Sequence, residues 1–194
     1  MSILLHLEIA EKYKKGKIVI EPFNATQIGP NSYDVRLGPT LKVYDFDALK
    51  DQNNRDYLDP FDKNPTKTIE IPPEGLILHP GTLYLGSTVE AVGSDHYLAM
   101  YEGRSSMARL GIQSHISAGF GDVGFKSNWT LEIVVTHPVK IRPGMRMGQI
   151  YFHRIRERAN KPEFRYKGKY QHQKEPQESK GYYDVEAQMT INKI

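Results

Sequence analysis

The sequence predicts an all-β protein carrying a few short helices. Short apolar runs, many of them rich in β-branched and aromatic residues, recur between Pro, Gly and Asp turns along most of the chain. With 194 residues, 39% of them hydrophobic, the chain supports one sizeable core and is short for two ordinary domains. Cys is absent, so neither a disulfide framework nor a thiolate metal site is available to staple a smaller fold. Together these imply a β-sandwich or jelly roll, with residues 1–194 as a single domain.

The elements follow in order. Leu4, Ile9 and Tyr13 are spaced among polar residues as in a short amphipathic helix, which Gly16 ends. Lys17-Ile-Val-Ile-Glu21 reads as a strand. The turn Gly29-Pro-Asn-Ser32 leads into a second, Tyr33–Leu37, and Gly38-Pro39 separates that from a third, Thr40–Tyr44. Residues 45–67 are polar and contain prolines, which predicts a long surface excursion without a second core. Strands are then expected at Thr68–Ile71, Leu76–Leu78, Thr82–Leu85, Tyr97–Tyr101, Ile112–Ile116, Thr130–Thr136, Val139–Ile141 and Met147–Phe152, with Arg142-Pro-Gly144 as a turn. Only Ser105–Leu110 reads as a further helix. The polar end, 160–194, is expected to act as a C-terminal lid.

Composition narrows the function classes. The N-terminus lacks a basic leader and meets Glu8 early, and no uncharged run approaches the ~20 residues of a membrane span. A soluble, cytoplasmic protein is expected. The net charge of +3 is concentrated between Arg154 and Lys180, where nine basic residues face four acidic ones. No helix-turn-helix, zinc-finger or aromatic ribonucleoprotein signature accompanies that basic stretch, so nucleic acid is a weak candidate partner and a solvated tail explains the charge as well.

The chemistry-bearing residues cluster in Glu102-Gly-Arg-Ser-Ser-Met-Ala-Arg-Leu-Gly111, Ala118-Gly-Phe-Gly-Asp-Val-Gly-Phe125 and Thr130-Leu-Glu132. Arg104 and Arg109 supply charge-assisted donors for phosphate, Ser105 and Ser106 add hydroxyls, and the glycines let the main chain approach a ligand. Such a set suits a nucleoside triphosphate, although Arg and Ser at a helix start also serve as capping residues. In the run Trp129–Val135, strand alternation puts Thr130, Glu132 and Val134 on one face. From that pattern alone Glu132 fits a solvent-facing site as well as a pocket carboxylate that takes a proton from water and returns it to a leaving amine. Asp122 fits a plain turn as well as a sugar or water contact, and Phe125 fits core packing as well as a ligand wall. Zinc-dependent deamination needs a His/Cys ligand set, and without Cys its second half cannot exist. His6-Leu-Glu8 is therefore read as ordinary helix sequence, and no zinc is expected.

The order of these pieces, from Ile28-Gly-Pro-Asn-Ser-Tyr-Asp-Val-Arg-Leu-Gly38 to Tyr166-Lys-Gly-Lys-Tyr-Gln-His-Gln173, resembles the dCTP deaminase branch of the dUTPase superfamily. Ala118-Gly-Phe120 is most similar to its bifunctional, dUMP-forming members. The resemblance implies a dUTPase-like distorted jelly roll assembled as a homotrimer, and a hydrolase that deaminates dCTP by metal-independent attack of water at cytosine C4. It further implies cleavage of the triphosphate, so that the products are dUMP for thymidylate synthesis, ammonia and pyrophosphate. By the same resemblance Glu132 is the general acid/base, and Ser105 and Arg109 orient the water and the cytosine 4-position. The Ala118 carbonyl helps hold that water.

The resemblance also implies that Asp122 contacts the deoxyribose 3′-hydroxyl and the second water, and that Phe125 stacks under the sugar. Binding residues implied in addition are Arg104, Ser106, Met107, Ala108, Thr130, Leu131, Gln149, Tyr166, Lys169 and Gln173. Mg²⁺ is expected to arrive through the phosphate oxygens, with Asp34 near its water shell and no protein cage. Ligands implied besides dCTP are dUTP and dTTP. The sequence departs from the family pattern at Gly121, where Ile or Val is usual, and at Ser127-Asn128, where a glycine-containing turn is common. The alternatives left open are a dCTP deaminase releasing dUTP, a dUTPase, and a non-catalytic nucleotide-sensing module. Glu132 argues against the dUTPase, which needs no acid/base residue at C4.

Overall fold

The computed structural model describes residues 2–156 and 161–184. Nine strands form one curled antiparallel sheet system. We number strands β1 Val19–Glu21, β2 Tyr33–Tyr44, β3 Thr66–Glu70, β4 Leu76–Leu78, β5 Tyr84–Gly93, β6 Tyr97–Gly103, β7 Ile112–Gln113, β8 Phe120–Gly121, β9 Lys126–Val135, β10 Val139–Ile141 and β11 Arg146–Arg154, and helices α1 His6–Lys14, α2 Phe46–Asn53 and α3 Ser105–Ala108. The strand order is β7-β9-β5-β2-β11-β6-β8, with β1 beside β5 and β3 beside β2, and β4 pairs with β10 separately. Among the described residues no helix is long and apolar enough to cross a membrane.

The curl comes from β2. Its first half pairs with β11 and its second with β3 and β5, so one strand serves two halves of the barrel-like core. Gly38-Pro39 does not end a strand, as the sequence reading expected, but bends one. A Cβ on Gly38 would sit 2.9 Å from Ser87 Oγ, and the Pro39 carbonyl accepts the Ile71 N–H. Opposite the bend, β5 slips register between Ser87 and Ala91. Thr88 and Asn128 side chains stitch the irregularity to β9: Trp129 N donates to Thr88 Oγ1 at 2.8 Å, and Asn128 Nδ2 donates to the carbonyls of Thr88 and Val89.

The core holds Tyr33, Val35, Leu37, Leu41, Leu131, Ile133, Ile150 and Phe152, all essentially inaccessible. Burying side chains of this size contributes about 1.5–3 kcal/mol each. The excursion differs from expectation in carrying the helix α2. Asp45 caps it by accepting the Ala48 N–H at 3.0 Å, Asn54 closes it in the left-handed conformation, and Leu49 is its buried anchor. The rest of the excursion is organised by Arg55, which bonds Asp62 and Asn64.

Candidate active site

Strand β9 sets the site. Its residues alternate strictly between buried and half-buried, which sends Trp129, Leu131 and Ile133 into the core and Asn128, Thr130 and Glu132 to the other face. That face lines a cavity of about 580 Å³ whose wall includes Ala118, Asp122, Phe125, Thr130, Glu132, Tyr166 and Gln173, seven of the residues singled out in the sequence. The volume lies in the usual range for small-molecule sites.

Glu132 Oε2 accepts the backbone N–H of Ile116 at 2.9 Å, which ties the carboxylate to the 114–119 loop. The loop is held in turn by Tyr101. Its hydroxyl donates to Ser114 Oγ at 2.8 Å, and its N–H donates to the Gly119 carbonyl at 2.7 Å. Burial pushes the Tyr101 phenol far above its usual range, against the smaller effect of the Ser114 hydrogen bond, so the group stays a neutral structural donor. Glycine at 119 is required because a Cβ there would meet the Tyr101 carbonyl at 2.6 Å.

In the cavity wall, Asp122 and Phe125 share one turn, closed by the Phe125 N–H on the Asp122 carbonyl at 2.9 Å. The Phe125 ring meets Trp129 and Tyr166 edge to face, at 5.4 and 5.7 Å between centroids.

The C-terminal segment covers the cavity. Tyr166 N donates to Val123 O, Gln171 Nε2 donates to Gly124 O and its Oε1 accepts from Lys126 N, and Gln177 N donates to Thr130 Oγ1. Farther on, Ser179 N donates to Tyr44 Oη, and Glu178 pairs with Lys42 at 2.7 Å. Burial alone would raise the Glu178 carboxyl. The Lys42 hydrogen bond, its own backbone N–H and the charges of Lys42 and Lys180 outweigh burial and hold it below its ordinary value. Gln173 Nε2 donates to the Asn128 carbonyl at 2.6 Å, which fixes the amide and leaves Oε1 as a buried acceptor without a partner among the described residues. A donor such as an exocyclic amino group would satisfy it. Residues 160 and 185–194 of the expected lid lie outside the described residues.

A second cluster stands apart from the cavity wall. Across β2, β11 and β6, Asp34, Gln149 and Glu102 stand opposite one another, and α3 begins two residues beyond the end of β6. The Asp34 carboxylate lies between two guanidiniums, with Arg104 Nε and Arg146 Nη1 each at 3.2 Å. Pairing with Asp34 through Nε leaves the two Arg104 Nη groups to face a further anion, such as two oxygens of a phosphate. Gln27 Nε2 fixes the ground beneath, donating to the Asp34 carbonyl and to the fully buried Glu90, which also takes Arg36. Ser105, Ser106 and Ala108 are exposed on α3, as is Arg109 directly after it, Met107 packs against the core, and Gln149 meets Ser32 at 3.1 Å.

One chain therefore does not bring Ser105 and Arg109 into the wall that holds Glu132. Leu131 points into the core, leaving only its main chain for any ligand. Lys169 is bonded to Asp184 and is not in the cavity wall. Sequence reasoning missed Arg146, Trp129 and the Gln177–Ser179 stretch. Arg146 sits in the same short motif as Gln149, and Trp129 is the sole tryptophan, so both carried a readable signal. The Lys42–Glu178 pairing, 136 residues apart, carried none.

Basic groups of the C-terminal region are engaged within the chain: Arg154 with Glu8, Arg165 with Asp95 and Lys180 with the Lys169 carbonyl. Among the described residues no cluster of three or more metal-ligating side chains occurs.

Comparison with known proteins agrees with this architecture. A solved 2′-deoxycytidine 5′-triphosphate deaminase from Agrobacterium tumefaciens superposes with a TM-score of 0.59 at 22% identity, over 77% of this chain and 47% of that one, so the chain spans about half its length. A protein of Cytophaga hutchinsonii named dCTP deaminase, dUMP-forming, is 46% identical over 184 residues, 95% of this chain and 99% of its own. One of the same name from Clostridium acetobutylicum is 47% identical over 167 residues, 86% and 90% of the two chains. The family model described as dCTP deaminase-like matches residues 3–155, and on that match and those identities the chain belongs to the dCTP deaminase family.

Proposed function

We propose that this protein is a hydrolase that deaminates dCTP and cleaves its triphosphate, giving dUMP, ammonia and pyrophosphate. The observation that carries the reading is the Glu132 carboxylate, fixed by the Ile116 N–H in the wall of a cavity that also offers the unpartnered Gln173 acceptor and an aromatic side. The names of the relatives at 46% and 47% identity support the same substrate and product.

In this reading cytosine lies with its 4-amino group toward Gln173 Oε1 and its C4 toward a water near Glu132 and the Ala118 carbonyl. The water oxygen bonds to C4 as the C4–N3 π pair moves onto N3, Glu132 takes the proton the water gives up, and N3 ends protonated by the proton of the added hydroxyl as the carbonyl forms. The tetrahedral intermediate then collapses as the C4–N bond breaks, and ammonia leaves with the proton Glu132 returns. Asp122 orients a second water onto the phosphate chain and holds the sugar hydroxyl, while Phe125 and Tyr166 enclose the sugar.

The triphosphate goes to Arg104, Ser105, Ser106, Arg109 and Gln149. Because that cluster lies outside the cavity wall, the reading places the two halves of each site on neighbouring copies of a homotrimer. Exposed Leu110, Ile116 and Phe120, at 50%, 52% and 58%, border the two halves and suit burial between copies. Mg²⁺ would supply charge neutralisation on the phosphate oxygens, and in this reading the Asp34 carboxylate, held by Arg104 and Arg146, would meet its water shell. The segment 161–184 acts as the lid.

Product analysis of purified protein with dCTP and Mg²⁺ tests the reading. The expected outcome is one ammonia and one pyrophosphate per dUMP, without free dUTP. Persistent stoichiometric dUTP would reduce the activity to deamination alone, and absence of any product would remove the enzyme reading.

A further inference from the structure

Gly121, the departure from the family pattern, and Trp129, the only tryptophan, are one feature. A Cβ built on Gly121 would lie 2.3 Å from Trp129 Cη2 and 2.6 Å from Cζ2, so the indole occupies the space a side chain at 121 would need. The indole is also fixed in orientation, because Nε1 donates to the Val92 carbonyl at 3.0 Å. Tyr101 braces it from the core side, with ring centroids 6.3 Å apart.

On the cavity side, Trp129 meets Phe125 edge to face. The backbone of Phe125 is equally confined, since a Cβ on Gly93 would fall 1.8 Å from the Phe125 carbonyl oxygen. A file of rings, Tyr101, Trp129, Phe125 and Tyr166, thus runs from the core to the cavity wall with nothing yielding behind Phe125.

We infer that Trp129, seated beneath Gly121, is the positioning residue that makes the pocket select deoxyribose over ribose: it stops Phe125 from retreating when a 2′-hydroxyl presses on it. The inference rests on the reading that the cavity takes the base and sugar of a deoxycytidine nucleotide. A hydroxyl buried against an aromatic ring finds no partner, and the wall adds steric rejection only if it cannot relax. Apolar pockets reject an added hydroxyl by about a hundredfold, which sets the scale of selectivity that an unyielding wall can contribute.

The test compares dCTP with CTP in wild type, Trp129→Leu, the milder Trp129→Phe, and the refilled double variant Gly121→Val/Trp129→Leu. Both the kcat/KM ratio and the ratio of equilibrium dissociation constants, by dialysis, are measured on variants whose Tm shows them folded. Trp129→Leu is expected to lower dCTP-over-CTP selectivity about tenfold, chiefly by improving CTP, and Trp129→Phe to lower it less. The branched residue at 121 is expected to restore selectivity by filling the same space.

A folded Trp129→Leu or Trp129→Phe variant with wild-type selectivity overturns the inference, as does a double variant no more selective than the single one. If Trp129→Leu does not fold, Trp129→Phe and the double variant decide the matter. A wild type that prefers dCTP in binding but releases no ammonia would defeat the proposed reaction while leaving the sugar selectivity open to the same binding measurement.

Discussion

Replacing Glu132 by Gln separates structural from chemical roles. The carboxylate makes one hydrogen bond among the described residues, from the Ile116 N–H at 2.9 Å. A glutamine carbonyl can accept the same bond, so the change exchanges a charge-assisted bond for a neutral one at a cost of about 1 kcal/mol. For a chain of this size that lowers Tm by about 2–4 °C. Loss of a positioned acid/base group costs about 10²–10⁴ in rate, equivalent to about 3–5 kcal/mol of barrier. The chemical effect thus exceeds the stability effect several-fold, and the two are read separately by thermal unfolding and by ammonia release at saturating dCTP. Binding of dCTP to the variant is expected to stay within about threefold of wild type, because the amide keeps the shape of the wall. A folded Glu132→Gln variant releasing ammonia within tenfold of the wild-type rate would refute the assignment of Glu132 as proton carrier.

Four further outcomes are expected. Asp122→Asn should slow pyrophosphate release far more than ammonia release and let dUTP accumulate over a time course, with a smaller loss of dCTP affinity. Removing residues 165–194, or breaking the Lys42–Glu178 contact with Lys42→Ala, should raise KM for dCTP while the β core stays folded by circular dichroism. Because the Glu178 carboxyl is depressed in the folded state, its contribution to docking is complete above its ordinary value and is lost as pH falls through the depressed one. Protease cleavage of the segment should therefore increase on acidification from neutral pH to about pH 3, and less steeply in Lys42→Ala. Finally, if the site is shared between copies as proposed, Arg104→Ala and Glu132→Gln proteins, each inactive alone, should regain activity when mixed, unfolded and refolded together, since a mixed oligomer would pair an intact arginine cluster with an intact cavity; no recovery would argue that both halves act within one chain.

Much of the fold was legible because the signals are local. The alternation of Lys126–Val135 is visible in the sequence and recurs as alternating burial, and it alone puts Glu132 on the face opposite Leu131. Errors arose where tertiary contacts override local ones. Gly38-Pro39 has the composition of a break, yet the close approach to Ser87 and the Ile71 hydrogen bond carry the strand through it as a bend. Helix α2 was obscured because its single buried anchor, Leu49, gives no periodicity, although Asp45 and Asn54 are the residues its two ends require.

The site shows the same division. Its residue types suit a triphosphate and an acid/base carboxylate, because charge and hydrogen-bonding capacity belong to single side chains, and those roles stand as the proposal. Which residues share a wall depends on register. Strand β6 delivers α3 to the edge where Asp34 and Arg146 wait, whereas β9 delivers Glu132 to a cavity closed by residues some forty positions further along the chain. The order Arg104, Ala118, Asp122, Glu132 along the sequence therefore names the parts of a site without deciding which chain supplies each part. Gly121 is the converse case. An unusual residue in a motif looks like a weakened match until Trp129, eight positions away, is found in the space it vacates. In this chain the indole fills the space that a side chain at 121 would take, so the glycine and the tryptophan are one packing solution.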